Sequence, residues 1–175
     1  MKVLFLIISI FLLSSPSWSE SVDASELTLR DGLFYKIFTN TPFTGSVTGE
    51  AQGKVLDGKK MGEWVYYLPN GKLAGISNFK DNVLEGWTEK YYENGNLDLK
   101  GNFKDGKQDG FWELYYANGN LEVKGNYKND KQEGLWEYYH ENGKLKKKSN
   151  FKDGKENGLY EFYNENGQLD TKGNF

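Results

Sequence analysis

Few residues here are equipped for chemistry. The chain holds one histidine, His140, and no cysteine. A hydrolytic triad needs a nucleophile, a base and an acid that orients the base. In the other copies of the repeat described below, the place of His140 is taken by Leu68, Tyr92, Tyr116 and Asn164, so it reads as an ordinary strand position and supplies no general base. Zinc has no ligand set without cysteine or a second histidine. Carboxylates are plentiful, but Glu93, Glu141 and Glu165 recur beside turns and Asp81, Asp105 and Asp153 within them. No loop gathers the roughly six oxygens that calcium prefers. The glycines mark turns and form no phosphate loop. No catalytic residue, metal or cofactor is therefore expected, and the chain reads as a non-enzyme.

What does recur is tyrosine. Tyr67, Tyr91, Tyr115, Tyr139 and Tyr163 stand 24 residues apart, each near a Glu or Lys of the same unit. With two strands per unit such a row sets a ring every ~10 Å, which makes it the candidate ligand or partner surface, able to stack on an extended peptide or glycan. The same row would also shield a sheet and link its neighbouring units, since tyrosine suits strands whatever their function.

These spacings come from a repeat. Gly62, Gly86, Gly110, Gly134 and Gly158 open five consecutive copies of a 24-residue unit without insertion, a signature of repeat architecture. Counting each glycine as position 1, position 6 is always Tyr, positions 9 and 10 Asn-Gly, position 17 Asn and position 18 Phe or Tyr. Position 12 is always leucine, as Leu73, Leu97, Leu121, Leu145 and Leu169. Asn-Gly between aromatic and branched runs predicts a hairpin closed by a type I′ turn, in which both central residues take positive φ. Position 4 then faces position 15, setting Glu89 against Lys100, Glu113 against Lys124, Glu137 against Lys148 and Glu161 against Lys172, with Val65 and Ile76 exchanged as a pair in the first copy.

Position 3 faces position 16 in the same way. Trp64, Trp112, Trp136 and Tyr160 are thus expected to cover Ser77, Gly125, Ser149 and Gly173 of their own hairpins. Thr88 replaces the ring in the second copy, where the adjacent Trp87 is expected to supply part of the cover. The invariant leucines and Phe79, Phe103, Tyr127, Phe151 and Phe175 are placed on that same face as the core.

A second turn, Lys104-Asp105-Gly106-Lys107 and its equivalents, joins one hairpin to the next. The fold class that follows is all-β: an elongated, curved antiparallel sheet of tandem hairpins, with stability roughly a sum over repeats. Upstream, Gly53 and Asp57-Gly58 fall on repeat positions, so residues 38–61 read as a degenerate copy within a divergent amino-terminal cap spanning 20–61, with Leu33 to Phe38 as its first strand. The last copy stops at position 18 with no capping sequence, and an open strand edge invites strand addition or edge-to-edge self-association.

Residues 1–19 have a different character. Lys2 is followed by an apolar run from Val3 to Leu13 broken only by Ser9, and Ser17-Trp18-Ser19 offers small residues before Glu20. This is the pattern of a secretory signal peptide cleaved near Ser19, because the run falls well short of the ~20 residues a membrane span requires. The expected location is exported, either periplasmic or extracellular, with no membrane span after cleavage. With 22 basic against 25 acidic side chains and a net charge of −3, nucleic acid is not an expected partner.

The unit G-x-W-x-x-Y-x-x-N-G-x-L-x-x-x-G-x-F-K-D-G-K resembles the MORN-repeat variant of many bacterial proteins, including the YwqK-like antitoxin family. The resemblance covers residues 62–175 fully and 38–61 loosely. It implies tandem hairpins that contact protein or lipid without catalytic residues, and the first expectation is a non-catalytic scaffold that binds another protein. Two alternatives accompany it. Trp64-Val65-Tyr66-Tyr67-Leu68 with Asn70-Gly71 is similar to choline-binding cell-wall repeats, implying wall or glycan binding through an aromatic ladder. The antitoxin resemblance implies neutralisation of a toxin.

Overall fold

The structure, a computed structural model, describes residues 20–175; the expected signal segment lies outside the described residues. Three short strands come first, β1 (Ser21–Asp23), β2 (Leu27–Arg30) and β3 (Leu33–Lys36), with a single 3-10 turn at Ala24–Glu26. Next come β4 (Gly45–Thr48) and β5 (Ala51–Leu56). The repeats then supply β6 (Lys59–Tyr67), β7 (Leu73–Lys80), β8 (Val83–Tyr91), β9 (Leu97–Lys104), the fragment β10 (Lys107–Gln108), β11 (Gly110–Tyr115) and β12 (Leu121–Lys128). The series ends with β13 (Lys131–Tyr139), β14 (Leu145–Lys152), β15 (Lys155–Tyr163) and β16 (Leu169–Asn174). From β4 onward neighbours in sequence are neighbours in one antiparallel sheet, with β10 paired to the side of β9; β1 adds in parallel beside β4, and β2 and β3 form a separate hairpin. The expected first strand is thus the third, and it ends at Lys36 because Phe38 takes a left-handed φ of 66°.

The expected register holds through the body of each hairpin, where Glu113 faces Lys124, Trp112 faces Gly125 and Val65 faces Ile76. The turn chemistry is exchanged between the two ends. Both φ values are positive at Asp57-Gly58, Asp81-Asn82, Asp105-Gly106, Asn129-Asp130 and Asp153-Gly154, and the flanking residues pair directly, as Lys80 does with Val83. The type I′ condition is therefore met between repeats. At the Asn-Gly end only the glycine is left-handed. There position 7 accepts from the N–H of position 10 and donates to the carbonyl of position 11, as Tyr92 does with Gly95 and Asn96. This is a longer loop ending in a glycine bulge. Asn94 shows why: its Oδ1 accepts from the N–H of Asn96, two residues on, at 2.9 Å, so the side chain itself closes the turn.

The bulge also moves the invariant leucines. It falls after position 5, so Tyr67 pairs with Leu73 and Tyr91 with Leu97. Directly opposed residues share a face, so the leucines lie with the tyrosines and not with the core as expected. The core is the other face, where Trp64, Trp112 and Trp136 are buried. Phe103 and Tyr127 pack edge-on against Trp112, and Tyr127 and Phe151 against Trp136.

Each buried indole lies over the preceding strand pair and not its own hairpin. A Cβ added to Gly53, Gly101 or Gly125 would come well under 3.0 Å from the ring of Trp64, Trp112 or Trp136 respectively. Each ring therefore spans a repeat boundary and covers backbone that has no side chain. Where the indole is lacking, at Thr88 and Tyr160, the residue beneath is serine, as Ser77 and Ser149. Tyr160 instead covers Gly173 of its own hairpin, as expected from the sequence. Trp87 does not substitute for the missing indole: it is 42% exposed, and its Nε1 donates to Glu89 on the opposite face.

Candidate functional site

The face opposite the indoles carries the five tyrosines, all half-buried. Strand alternation places positions 2, 4 and 6 together on it. Four hydroxyls donate to the carboxylate two residues back: Tyr91 to Glu89, Tyr115 to Glu113, Tyr139 to Glu137 and Tyr163 to Glu161. The hydrogen bond to Glu89 pushes the Tyr91 hydroxyl up to about 12. The reciprocal effect of Tyr91, then of Trp87, holds Glu89 below the usual carboxylate range. A phenol raised in this way stays protonated at neutral pH and is a donor, not a nucleophile. Four of the tyrosines thus orient carboxylates.

Those carboxylates form a ladder of alternating charge. Lys100, Lys124 and Lys148 each stand between the glutamate of their own hairpin and that of the next, so Lys100 pairs in register with Glu89 and Glu113, and Lys124 with Glu113 and Glu137. The short ion pairs cross the repeat boundary, Lys100 to Glu113 at 2.6 Å and Lys124 to Glu137 at 2.8 Å, whereas Lys148 reaches Glu137 of its own hairpin at 3.6 Å. Lys124 in turn lowers the Glu137 carboxyl.

A row that the sequence reading missed runs beside this ladder. Position 2 is Trp87, Phe111, Leu135 and Leu159, exposed by 42%, 43%, 48% and 69%. Its signal was available as four apolar residues at one repeat position, but the glycine before and the core ring after it drew the pattern toward the turn and the core.

At the Asn-Gly rim the repeats are tied laterally. Tyr92 and Tyr116 donate to the carbonyls of Tyr115 and Tyr139, and His140 Nε2 meets the Tyr163 carbonyl at 2.9 Å. His140 therefore acts as a strut equivalent to tyrosine. Asn94, Asn118 and Asn142 donate from Nδ2 to Ala117, Glu141 and Glu165 carbonyls of the following repeat. Among the described residues no group of three His, Cys, Asp or Glu side chains could hold a metal ion, and no helix is long and apolar enough to cross a membrane.

A sheet that grows by identical hairpins, with rings crossing each boundary on one face and a charged, aromatic surface on the other, defines a β-hairpin repeat scaffold. The family described as MORN repeat variant matches residues 62–81, 84–105, 108–129, 132–153 and 156–175, and the chain belongs to that family. No curated protein matches the chain.

Proposed function

We propose that this chain is an exported, non-catalytic scaffold that binds another protein through the face opposite its buried indoles. The observation that carries the reading is the exposed row Trp87, Phe111, Leu135 and Leu159, repeated every second strand at a spacing of ~10 Å and flanked by the Glu/Lys ladder. An apolar strip bordered by fixed charges suits a protein partner, because aromatic and aliphatic anchors supply affinity while the charges set orientation. Export rests on the pattern of residues 1–19 and is checked by amino-terminal sequencing of the protein from the native host, which should begin at or near Glu20.

The binding test compares the protein with a Trp87→Ser/Phe111→Ser/Leu135→Ser variant of unchanged melting temperature, each used to capture partners from the exported fraction. One protein at fixed stoichiometry, lost with the variant, supports the reading. A partner held equally by both contradicts it. Retention on wall glycan that disappears when Tyr91, Tyr115 and Tyr139 are replaced would assign the tyrosine row to carbohydrate instead.

A further inference from the structure

Three departures from the repeat coincide on the indole face. Position 3 of the second hairpin is Thr88 in place of a ring, the residue beneath it is Ser77 in place of glycine, and position 5 is Lys90 where other copies have Tyr66, Leu114, Tyr138 and Phe162. Together they open a cleft of about 540 Å³. Its walls are Tyr66, Leu99, Phe103 and Trp112, and Ser77 and Thr88 line it as well. At the boundaries that carry Trp64, Trp112 and Trp136 the space above the backbone is filled by their indoles. The cleft is therefore a site from which the protein's own ring is missing, with neighbouring rings still in place to pack against another.

Counting hydrogen bonds sets the polarity of the missing group. Thr88 Oγ1 donates its one proton to the Ile76 carbonyl at 3.1 Å. The 2.7 Å contact between the two hydroxyls must then be donated by Ser77 Oγ. Both protons are spent, and Ser77 keeps lone pairs that can only accept. The two charged residues of the lining make no demand for a charged ligand, because Lys90 is paired with Asp98 at 3.1 Å and Glu89 accepts from Trp87 and Tyr91. A volume of this size with aromatic walls and few polar groups is typical of small-molecule sites.

We propose that this cleft binds a neutral, planar aromatic small molecule of indole size or somewhat larger, whose ring N–H or O–H donates to Ser77. The site lies on the face opposite the row assigned to a protein partner, and stands or falls independently of it.

Indole itself is the probe. Calorimetric titration of the purified protein, with 5-fluoroindole followed by fluorine NMR, should give a Kd at or below about 1 mM. N-methylindole, which lacks the donor, should bind at least about fivefold more weakly, and Ser77→Ala should erase that preference. A Ser77→Gly/Thr88→Trp double variant, which restores the indole-over-glycine pair of the other boundaries, should melt higher and bind indole at least about tenfold more weakly. Absence of binding by the unaltered protein at several times that concentration, equal binding by the filled variant, or equal affinity for indole and N-methylindole would each overturn the proposal. If the filled variant fails to fold, the Ser77→Ala comparison still decides.

Discussion

The boundary between the first and second hairpins and the boundary between the third and fourth share one backbone register and differ in what lies across it. At the former, Ser77 and Thr88 exchange a hydroxyl contact of 2.7 Å beneath an open cleft. At the latter, the Trp136 indole covers Gly125, is almost wholly buried, and donates from Nε1 to the Asn126 carbonyl at 3.2 Å. The strands pair alike on either side of this point, but Ser77 pairs directly with Thr88 whereas the irregularity in register falls on Gly125. The ladder therefore continues through both boundaries and closes more regularly where the indole is absent. The indole adds close packing across a boundary, and where Thr88 stands in its place the sheet continues but a cavity opens.

Replacing the ring should have the largest effect. Trp136→Ala should cost about 3–5 kcal/mol, as large-to-small changes at buried aromatics do, and Thr88→Ala at the other boundary only about 1 kcal/mol for a lost hydrogen bond; denaturant titration of each measures the difference, and equal losses would remove the distinction. Next comes the residue beneath. Gly125→Ala places a Cβ where the Trp136 ring lies and should cost about 1–3 kcal/mol, whereas Ser77→Ala removes one hydroxyl and should stay near 1 kcal/mol. The rim is milder still. Asn118→Ala gives up a turn-closing contact of 2.9 Å and a bond of 3.1 Å to the Glu141 carbonyl of the next hairpin, and should lower stability by about 1–2 kcal/mol.

The smallest effect belongs to the charge ladder. Glu137→Gln should cost under ~1 kcal/mol at pH 7, given the exposure of its partners. Its sign with pH follows from the direction of the shift. Glu137 is held below its ordinary value by Lys124, so its contribution is full above the unfolded-state value and is lost as pH falls through the folded-state one. Melting curves of the protein and the variant should therefore differ at neutral pH and converge in acid.

The hairpins, their number and the pairing of positions 3 and 4 with 16 and 15 were legible because identical residues recur at a fixed interval and strand alternation does the rest. The turn types were not. Asn-Gly and Asp-Gly both favour type I′, and only the choice of Asn70, Asn94 and their equivalents to bond the residue two places on lengthens one loop and shifts the leucines onto the tyrosine face. The indole-over-glycine contact was legible in principle: Gly53, Gly101 and Gly125 precede Trp64, Trp112 and Trp136, and Ser77 and Ser149 precede Thr88 and Tyr160. It was missed because pairing was sought within a hairpin, whereas a strand inside a sheet has two neighbours and the ring leans toward the earlier one. Of the tyrosine row, the sequence showed the alignment but not that Glu89, Glu113, Glu137 and Glu161 engage its hydroxyls.

The most direct test is a double-mutant cycle that converts one boundary into the other, using Gly125→Ser, Trp136→Thr and the pair together. If the indole and the bare backbone beneath it form one unit, the double variant should be less destabilised than the sum of the single ones, by about 0.5–3 kcal/mol. Losses that add within about 0.5 kcal/mol would mean that ring and glycine act independently, and would contradict the indole and the bare backbone beneath it packing as one unit across the boundaries that carry them.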